Sequence, residues 1–177
     1  MHYVTDVMLA RLSRWLRLFG VSVSVPDSTD DDALIKQCIR EKASLITKDR
    51  GLAQRATDYV PCTLIRSNDI EKQLLEFSRA SGFSFKRLKE RDIPSPRICS
   101  MCNGVLKQAS KQRVRGRVPF KSWKNATCFF KCSCCRRIYW NGSHTAHILR
   151  LWKKLKTRSG GSVRSPCIET GPGPLLH

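Results

Sequence analysis

Acidic residues are almost missing from the second half of this sequence. Residues 94–177 contain 17 Lys and Arg but a single Asp or Glu, a net charge of +16, whereas residues 1–93 contain 16 basic and 13 acidic residues. A positive excess of this size is far beyond what solubility requires, and it predicts a polyanionic partner. The alternative is a solvated basic face or a localisation signal. Any chemistry that depends on clustered carboxylates must therefore lie in the first half.

The sequence also lacks a long hydrophobic run. Arg11, Arg14 and Arg17 interrupt the most apolar stretch near the start, so nothing approaches the roughly 20 apolar residues that a membrane span needs. The same arginines argue against the hydrophobic segment of a secretory signal peptide. We therefore expect an intracellular protein, cytoplasmic or nuclear, that is not secreted and has no membrane partner.

The first half alternates short β-like runs with amphipathic helical patterns. The predicted strands cover residues 2–5, 21–25, 44–47 and 62–65, and a helical pattern follows each of them. Four such units in sequence imply an α/β fold with a parallel sheet flanked by helices. The carboxyl ends of parallel strands meet at one edge, where ligands bind.

The composition divides the chain into three parts. We assign residues 1–93 to the α/β domain, residues 94–156 to a basic zinc-ribbon module, and residues 157–177 to a disordered tail rich in Gly, Ser and Pro. The basic segment from Phe85 to Arg91, followed by Pro94 and Pro96, is the expected connection between the first two parts.

Nine cysteines are present, and in a reducing compartment paired cysteines bind metal more often than they form disulfides. The sequence contains two CxxC pairs separated by 29 residues, namely Cys99 with Cys102 and Cys132 with Cys135. Two such pairs supply the four thiolates of a closed tetrahedral site, so we predict a zinc ribbon with a structural Zn²⁺. The weaker alternatives are buried thiols without metal, or a ligand drawn from Cys134, His144 and His147.

Aspartates follow the predicted strands and open the predicted helices. Asp6 comes directly after the first strand, Asp49 comes shortly after the third, and Asp69 follows the fourth. The remaining three, Asp30, Asp31 and Asp32, open the second helix on the same side. Clustered carboxylates need a hard cation, so we expect Mg²⁺ or Mn²⁺ at Asp6 and Asp49, where it can activate water for phosphodiester cleavage. The alternative for any single one of them is a helix N-cap.

Four separated stretches also carry a resemblance to a known family. They are the run from Thr5 to Gly20, the cluster Asp30-Asp31-Asp32, the stretch from Ile46 to Leu52 and the stretch from Cys135 to His144. Together they resemble the C-terminal RNase domain of the exonuclease mut-seven homologues, a family that looks like a PIN-type nuclease fold fused to a zinc ribbon. The resemblance covers roughly residues 1–150.

The resemblance implies a PIN-like parallel sheet whose acidic edge holds divalent ions. It points to Asp6 and Asp49 as the main catalytic residues, with one of Asp30, Asp31 and Asp32 as the third and Asp69 as a weaker fourth. Two positions depart from the family pattern. Val7 stands where an acidic residue is frequent, and Arg136 stands where a small residue follows the last ribbon cysteine.

The leading hypothesis is a metal-dependent ribonuclease, endo- or exonucleolytic, that acts on single-stranded RNA. Lys48 and Arg50 flank Asp49 and are candidates for binding the scissile phosphate. The insertion between the CxxC pairs offers further candidates for RNA binding, namely Arg113, Arg115, Arg117 and, for stacking on a base, Trp123. The alternatives are a non-catalytic RNA-binding module that keeps the fold, and a DNA-directed factor.

Overall fold

The computed structural model describes residues 1–94 and 97–159, apart from the side chain of residue 143. Its first half is a mixed α/β unit, as predicted. The strands are β1 (His2–Thr5), β2 (Ser22–Ser24), β3 (Ser44–Thr47) and β4 (Cys62–Leu64). The helices are α1 (Ala10–Leu18), α2 (Asp31–Glu41), α3 (Arg50–Ala56) and α4 (Ile70–Ser81). The strands pair in parallel in the order β2-β1-β3-β4, so β1 and β3 are central.

Aspartate side chains start the helices of this unit. Asp30, Asp49 and Asp69 each accept a hydrogen bond from the backbone N–H three residues further on, at 2.8, 2.9 and 3.0 Å. Asp6 does the same for the short 3₁₀ turn Val7–Leu9 that leads into α1. Such caps satisfy donors that a helix leaves unpaired in its first turn, which explains why each helix begins where it does.

Two apolar layers lie on opposite faces of the sheet. Successive strand residues point to opposite faces, so Tyr3 faces α1 and α4 whereas Val4 faces α2 and α3. On β3, Ile46 faces the same side as Tyr3, and Leu45 faces the same side as Val4. The parallel strands are therefore buried on both faces, and the polar groups that could serve a site come at their ends.

The second half contains a smaller antiparallel sheet. Its strands, in the order β5-β6-β7, are β5 (Leu106–Ala109), β6 (Phe129–Cys132) and β7 (Ile138–Trp140). The insertion between β5 and β6 holds the helix α5 (Phe120–Asn125). Val114, Val118 and Ala126 of this insertion form a small core together with Phe129 of β6. The long gap between the CxxC pairs is thus a folded unit with a basic surface.

The last helix, α6 (Ser143–Arg158), packs against the first half. Ile148, Trp152 and Leu155 belong to the same buried cluster as α1 and α4, and the Trp152 indole N–H donates to the Phe85 carbonyl at 3.0 Å. Phe85 itself is fully buried, so the segment that we expected to connect the two halves is part of the first core.

The predicted disordered tail begins at residue 157, but α6 continues to Arg158. Residues 160–177 lie outside the described residues. Within the part of the chain that the structure describes, none of the helices is both long and apolar enough to cross a membrane.

Candidate metal centre and active site

The four predicted ligands of the ribbon come together in space. The Sγ atoms of Cys99 and Cys135 lie 3.6 Å apart, those of Cys102 and Cys132 also lie 3.6 Å apart, and all four lie within 4.8 Å of one another. A tetrahedron of sulfurs with Zn–S bonds of about 2.3 Å has edges of about 3.8 Å. The cluster therefore has the size and the donor type of a closed zinc site, and the four cysteines can hold zinc.

Neighbouring groups shape this cluster. Burial raises the pKa of the Cys99 thiol, but hydrogen bonds from Tyr139 and from the backbone outweigh it and hold that pKa at about 6. The Tyr139 hydroxyl lies 3.0 Å from Cys99 Sγ. Gly104 lets the two turns approach each other, since a Cβ there would come within 2.9 Å of Cys134 Cβ and 3.0 Å of Cys132 Sγ. Cys134 is exposed and lies outside the cluster, as the spacing predicted.

The first cysteine turn is attached to the edge strand of the large sheet. The Asn103 side chain accepts a hydrogen bond from the Val23 N–H at 3.1 Å and donates one to Ser22 Oγ at 3.1 Å. The Arg17 guanidinium, which is buried, donates to the carbonyls of Val23, Ser100 and Met101 at 2.7, 3.1 and 3.1 Å. Polar groups of β2 that would face solvent at a free sheet edge are thereby paired.

Asp6 lies at the carboxyl end of β1 and is buried. One of its oxygens caps the turn at Leu9, at 3.0 Å. The other accepts hydrogen bonds from Thr47 Oγ1 at 2.5 Å and from the Lys48 N–H at 2.9 Å. Three of the roughly four acceptor positions of the Asp6 carboxylate are thus occupied, and the group is fixed between the ends of the two central strands.

Asp49 lies beside Asp6 at the end of β3 and is exposed. Its N–H donates to Thr47 Oγ1 at 2.9 Å, so a single hydroxyl connects the backbone of Asp49 to the carboxylate of Asp6. One Asp49 oxygen caps α3 through Leu52 N–H, while the second accepts no hydrogen bond within the described part of the chain. This second oxygen can accept a ligand from solvent.

The neighbouring groups at this edge are cationic and polar. Lys48 Nζ donates to the Asn68 side chain, a neutral partner that leaves its charge uncompensated. Arg50 is exposed at the start of α3. Asp69, directly after Asn68, caps α4. The carboxylate of Glu76 accepts hydrogen bonds from Arg66 N–H, at 2.8 Å, and from the Ser67 hydroxyl, and these bonds order the segment that leads to Asp69. Candidates from three strands therefore meet at one edge.

The three aspartates at the start of α2 are engaged elsewhere. Asp31 forms an ion pair with Arg55 of α3, and Asp32 lies 3.5 Å from the same guanidinium. Asp30 is the exposed N-cap of α2. Over residues 1–94 and 97–159, the four cysteines are the one group of three or more metal-binding side chains within ligand distance. The aspartates thus share an edge of the sheet but form no such group there.

The basic residues of the insertion are on the surface. Arg113, Arg115 and Arg117 are exposed, and among the described residues none of them takes part in an ion pair. Trp123 is half-buried against the core of the insertion.

Sequence reasoning missed three residues that shape these sites. Thr47 connects Asp6 with Asp49, Asn68 accepts from Lys48, and Arg17 joins the two halves of the chain. A signal for Arg17 was available. It lies four residues after Ser13, which is also buried, so both fall on the inward face of α1.

Fold and site together define the class of protein. It is a mixed α/β protein with a polar, partly acidic edge on its parallel sheet and a tetracysteine centre that can hold zinc. A family model described as "Mut7-C RNAse domain" matches residues 1–152. The chain therefore belongs to the Mut7-C RNAse domain family, as its four sequence stretches indicated. Comparisons with curated proteins and with solved structures give no significant match. The family suggests a nuclease that has RNA as its substrate or partner.

Proposed function

We propose that this protein is a ribonuclease that depends on Mg²⁺ or Mn²⁺ and cleaves RNA at the edge formed by Asp6 and Asp49. The observation that carries the proposal is the hydrogen-bonded connection from Asp6 through Thr47 to Asp49 at the ends of the two central strands. It fixes the Asp6 carboxylate and the backbone of Asp49 at the position where open α/β sheets bind their ligands.

The two carboxylates have different tasks in this proposal. Asp6 is held rigidly by three donors, so it supplies a fixed negative charge. Asp49 keeps one oxygen for a ligand from solvent. Both offer the oxygen donors that Mg²⁺ and Mn²⁺ prefer, and such an ion, when bound, supplies an activated water and stabilises the leaving oxygen. Asp69, which uses one oxygen to cap α4 at the same edge, is the neighbouring carboxylate that can complete the site.

Cations at the same edge can hold the RNA backbone. Lys48 keeps an uncompensated ammonium beside Asn68, and Arg50 is exposed one residue after Asp49. Both can contact phosphate oxygens next to the bond that is cleaved. The basic insertion, with Arg113, Arg115 and Arg117, then supplies most of the affinity through contacts with phosphates elsewhere on a single-stranded RNA.

A second candidate function has its own supporting observation. Four of the six aspartates that follow strands or open helices in the first half are N-caps, namely Asp6, Asp30, Asp49 and Asp69, and the other two, Asp31 and Asp32, face Arg55. Carboxylates that are structural caps fit a non-catalytic RNA-binding module as well. The two functions differ in a single measurable property, which is cleavage.

The test is the Asp49→Asn variant. Asn caps a helix about as well as Asp, so the fold should change in stability by less than about 1 kcal/mol. Cleavage of single-stranded RNA in Mg²⁺ or Mn²⁺ should nevertheless fall by a factor on the order of 100 or more, because the charge that holds the ion is lost. EDTA should abolish wild-type cleavage.

Asp58→Asn provides the matched control, since Asp58 is an exposed aspartate outside the candidate edge. It should cleave like the wild type. If wild-type protein binds RNA but leaves it intact in both metals, the binding-module function replaces the nuclease. Equal cleavage by Asp49→Asn and wild type would remove Asp49 from the site.

A further inference from the structure

Phe120 is the most exposed Phe, Tyr or Trp side chain among the described residues, with 73% of its surface accessible. It lies at the first position of α5, directly after Pro119, so the ring projects from the start of a short helix in the basic insertion. Exposing a phenyl ring to water is unfavourable by itself. A ring in this position can offer a flat apolar face to a partner.

Trp123, by contrast, already has its contacts within the protein. Its indole N–H donates to the Lys111 carbonyl at 2.9 Å, and the ring packs against the core of the insertion. The Lys111 ammonium and the Arg115 guanidinium lie 5.2 and 5.6 Å from the ring centroid, distances typical of cation–π contacts. These contacts leave Trp123 less able to stack on a base than the sequence suggested.

The two rings form a stacked pair. Their centroids are 6.0 Å apart and their planes differ by 27°. They are three residues apart on α5, so they lie on the same face of the helix. Trp123 is thus fixed by the core and by its two cations, and it supports Phe120 from one side.

The charged residues of the insertion that neighbour this pair are all cationic. Lys111, Arg115, Lys121 and Lys124 are exposed, and none of them is in an ion pair within the described residues. The sequence offers no local counter-charge either, since its second half contains one acidic residue in all. An apolar ring next to cations that have no acidic partner matches the chemistry of a nucleic acid strand, which has a flat base attached to a phosphate.

We propose that Phe120 is the platform on which an unpaired base of single-stranded RNA stacks, with Trp123 as its support. Lys121, Arg115 and Lys111 then lie within reach of the adjoining phosphates. The inference rests on the proposed RNA binding and deepens it, because it transfers base stacking from Trp123 to Phe120. Every base has an aromatic face, so this contact raises affinity without selecting a sequence.

The experiment compares two oligonucleotides by fluorescence anisotropy at a fixed KCl concentration. One is a uridine 12-mer, and the other is an abasic 12-mer with the same number of phosphates. Phe120→Ala should weaken binding to the uridine 12-mer about 5- to 150-fold, the range found when a stacking aromatic is replaced by alanine. Binding to the abasic 12-mer should stay unchanged, and Phe120→Trp should restore binding to uridine.

Tyr59→Ala is the matched control, because Tyr59 is also an exposed ring, at 66%, but lies in the first half of the chain. It should bind both oligonucleotides like the wild type. Zinc content and circular dichroism of Phe120→Ala should equal those of the wild type, which shows that the variant is folded.

Three results would overturn the inference. If Phe120→Ala binds the uridine 12-mer like the wild type, Phe120 is not a platform, while RNA binding itself stands. An equal loss on both oligonucleotides would mean that the variant disturbs phosphate contacts rather than stacking. Failure of the wild type to bind either oligonucleotide would remove the proposed RNA binding, and the stacking platform with it.

Discussion

Arg17 shows at the scale of one residue how the two halves of the chain are joined. Its guanidinium is buried and donates to three backbone carbonyls, two of which belong to the first cysteine turn. Burial lowers the pKa of Arg17, and attraction to the nearby Cys99 and Cys102 thiolates acts in the opposite direction. Four thiolates around Zn²⁺ carry a net charge of −2, so a buried cation next to them is electrostatically favourable.

Replacing Arg17 by Met should therefore destabilise the protein by about 2–4 kcal/mol. The variant leaves three carbonyls without donors and removes the cation beside the cysteine cluster. Urea unfolding, followed by tryptophan fluorescence, measures the change. Arg14→Met is the control on the same helix, because Arg14 is exposed; it should shift stability by no more than about 0.5 kcal/mol. Equal stability of the two variants would mean that Arg17 does not join the halves.

At the scale of elements, the ribbon depends on two turns that each contribute two sulfurs. The second turn contains three cysteines in four positions, and the structure places Cys135 in the cluster and leaves Cys134 outside it, as the CxxC spacing predicted, although both are exposed. The Cys134 N–H lies 3.4 Å from Cys132 Sγ, so this residue contributes its backbone to the cluster and points its thiol elsewhere. The two neighbouring cysteines therefore make a matched pair for testing the metal centre.

The purified protein should carry about one zinc per chain, since a closed tetrathiolate site binds tightly and helps to fold its module. Cys135→Ser should lose that zinc, and Cys134→Ser should keep it. Metal analysis by mass spectrometry after dialysis gives both values. Full zinc in Cys135→Ser, together with loss in Cys134→Ser, would exchange the roles of the two residues.

At the scale of the whole molecule, charge is separated between the two halves. The first half is close to neutral and contains nearly all the carboxylates, whereas the second carries the excess of +16. Because α6 and Arg17 pack the second half against the first, the basic insertion belongs to the same compact structure as the acidic edge. We infer a division of work in which the second half binds RNA and the first half cleaves it.

Replacing Arg113, Arg115 and Arg117 together by Ala tests this division. Each phosphate contact on a single strand contributes about 0.7 to the slope of log affinity against log salt, so the slope should fall by about two. A KCl titration measures it, and cleavage at saturating RNA should change little. The charge-matched control replaces three exposed residues of the first half, Lys36, Arg79 and Arg91. If both triple variants show the same salt slope, the basic insertion is not the main binding surface.

The sequence by itself determined the elements of the first half and which four cysteines come together. Strand periodicity, aspartate caps and CxxC spacing act over a few neighbouring residues, so the parallel sheet, the helix starts and the four cysteine ligands could be predicted without coordinates. The strand ends differed by a residue or two, because pairing with a neighbour decides where a strand stops.

Only the tertiary structure decided which of the candidate residues face one another. Asp31 pairs with Arg55, Thr47 connects Asp6 with Asp49, and α6 completes the first core, although these residues are far apart in the sequence. The exposure of Phe120 is likewise set by which faces meet. Burial and long-range pairing depend on the packing of whole elements, and a local pattern contains no information about the partner that an element will meet.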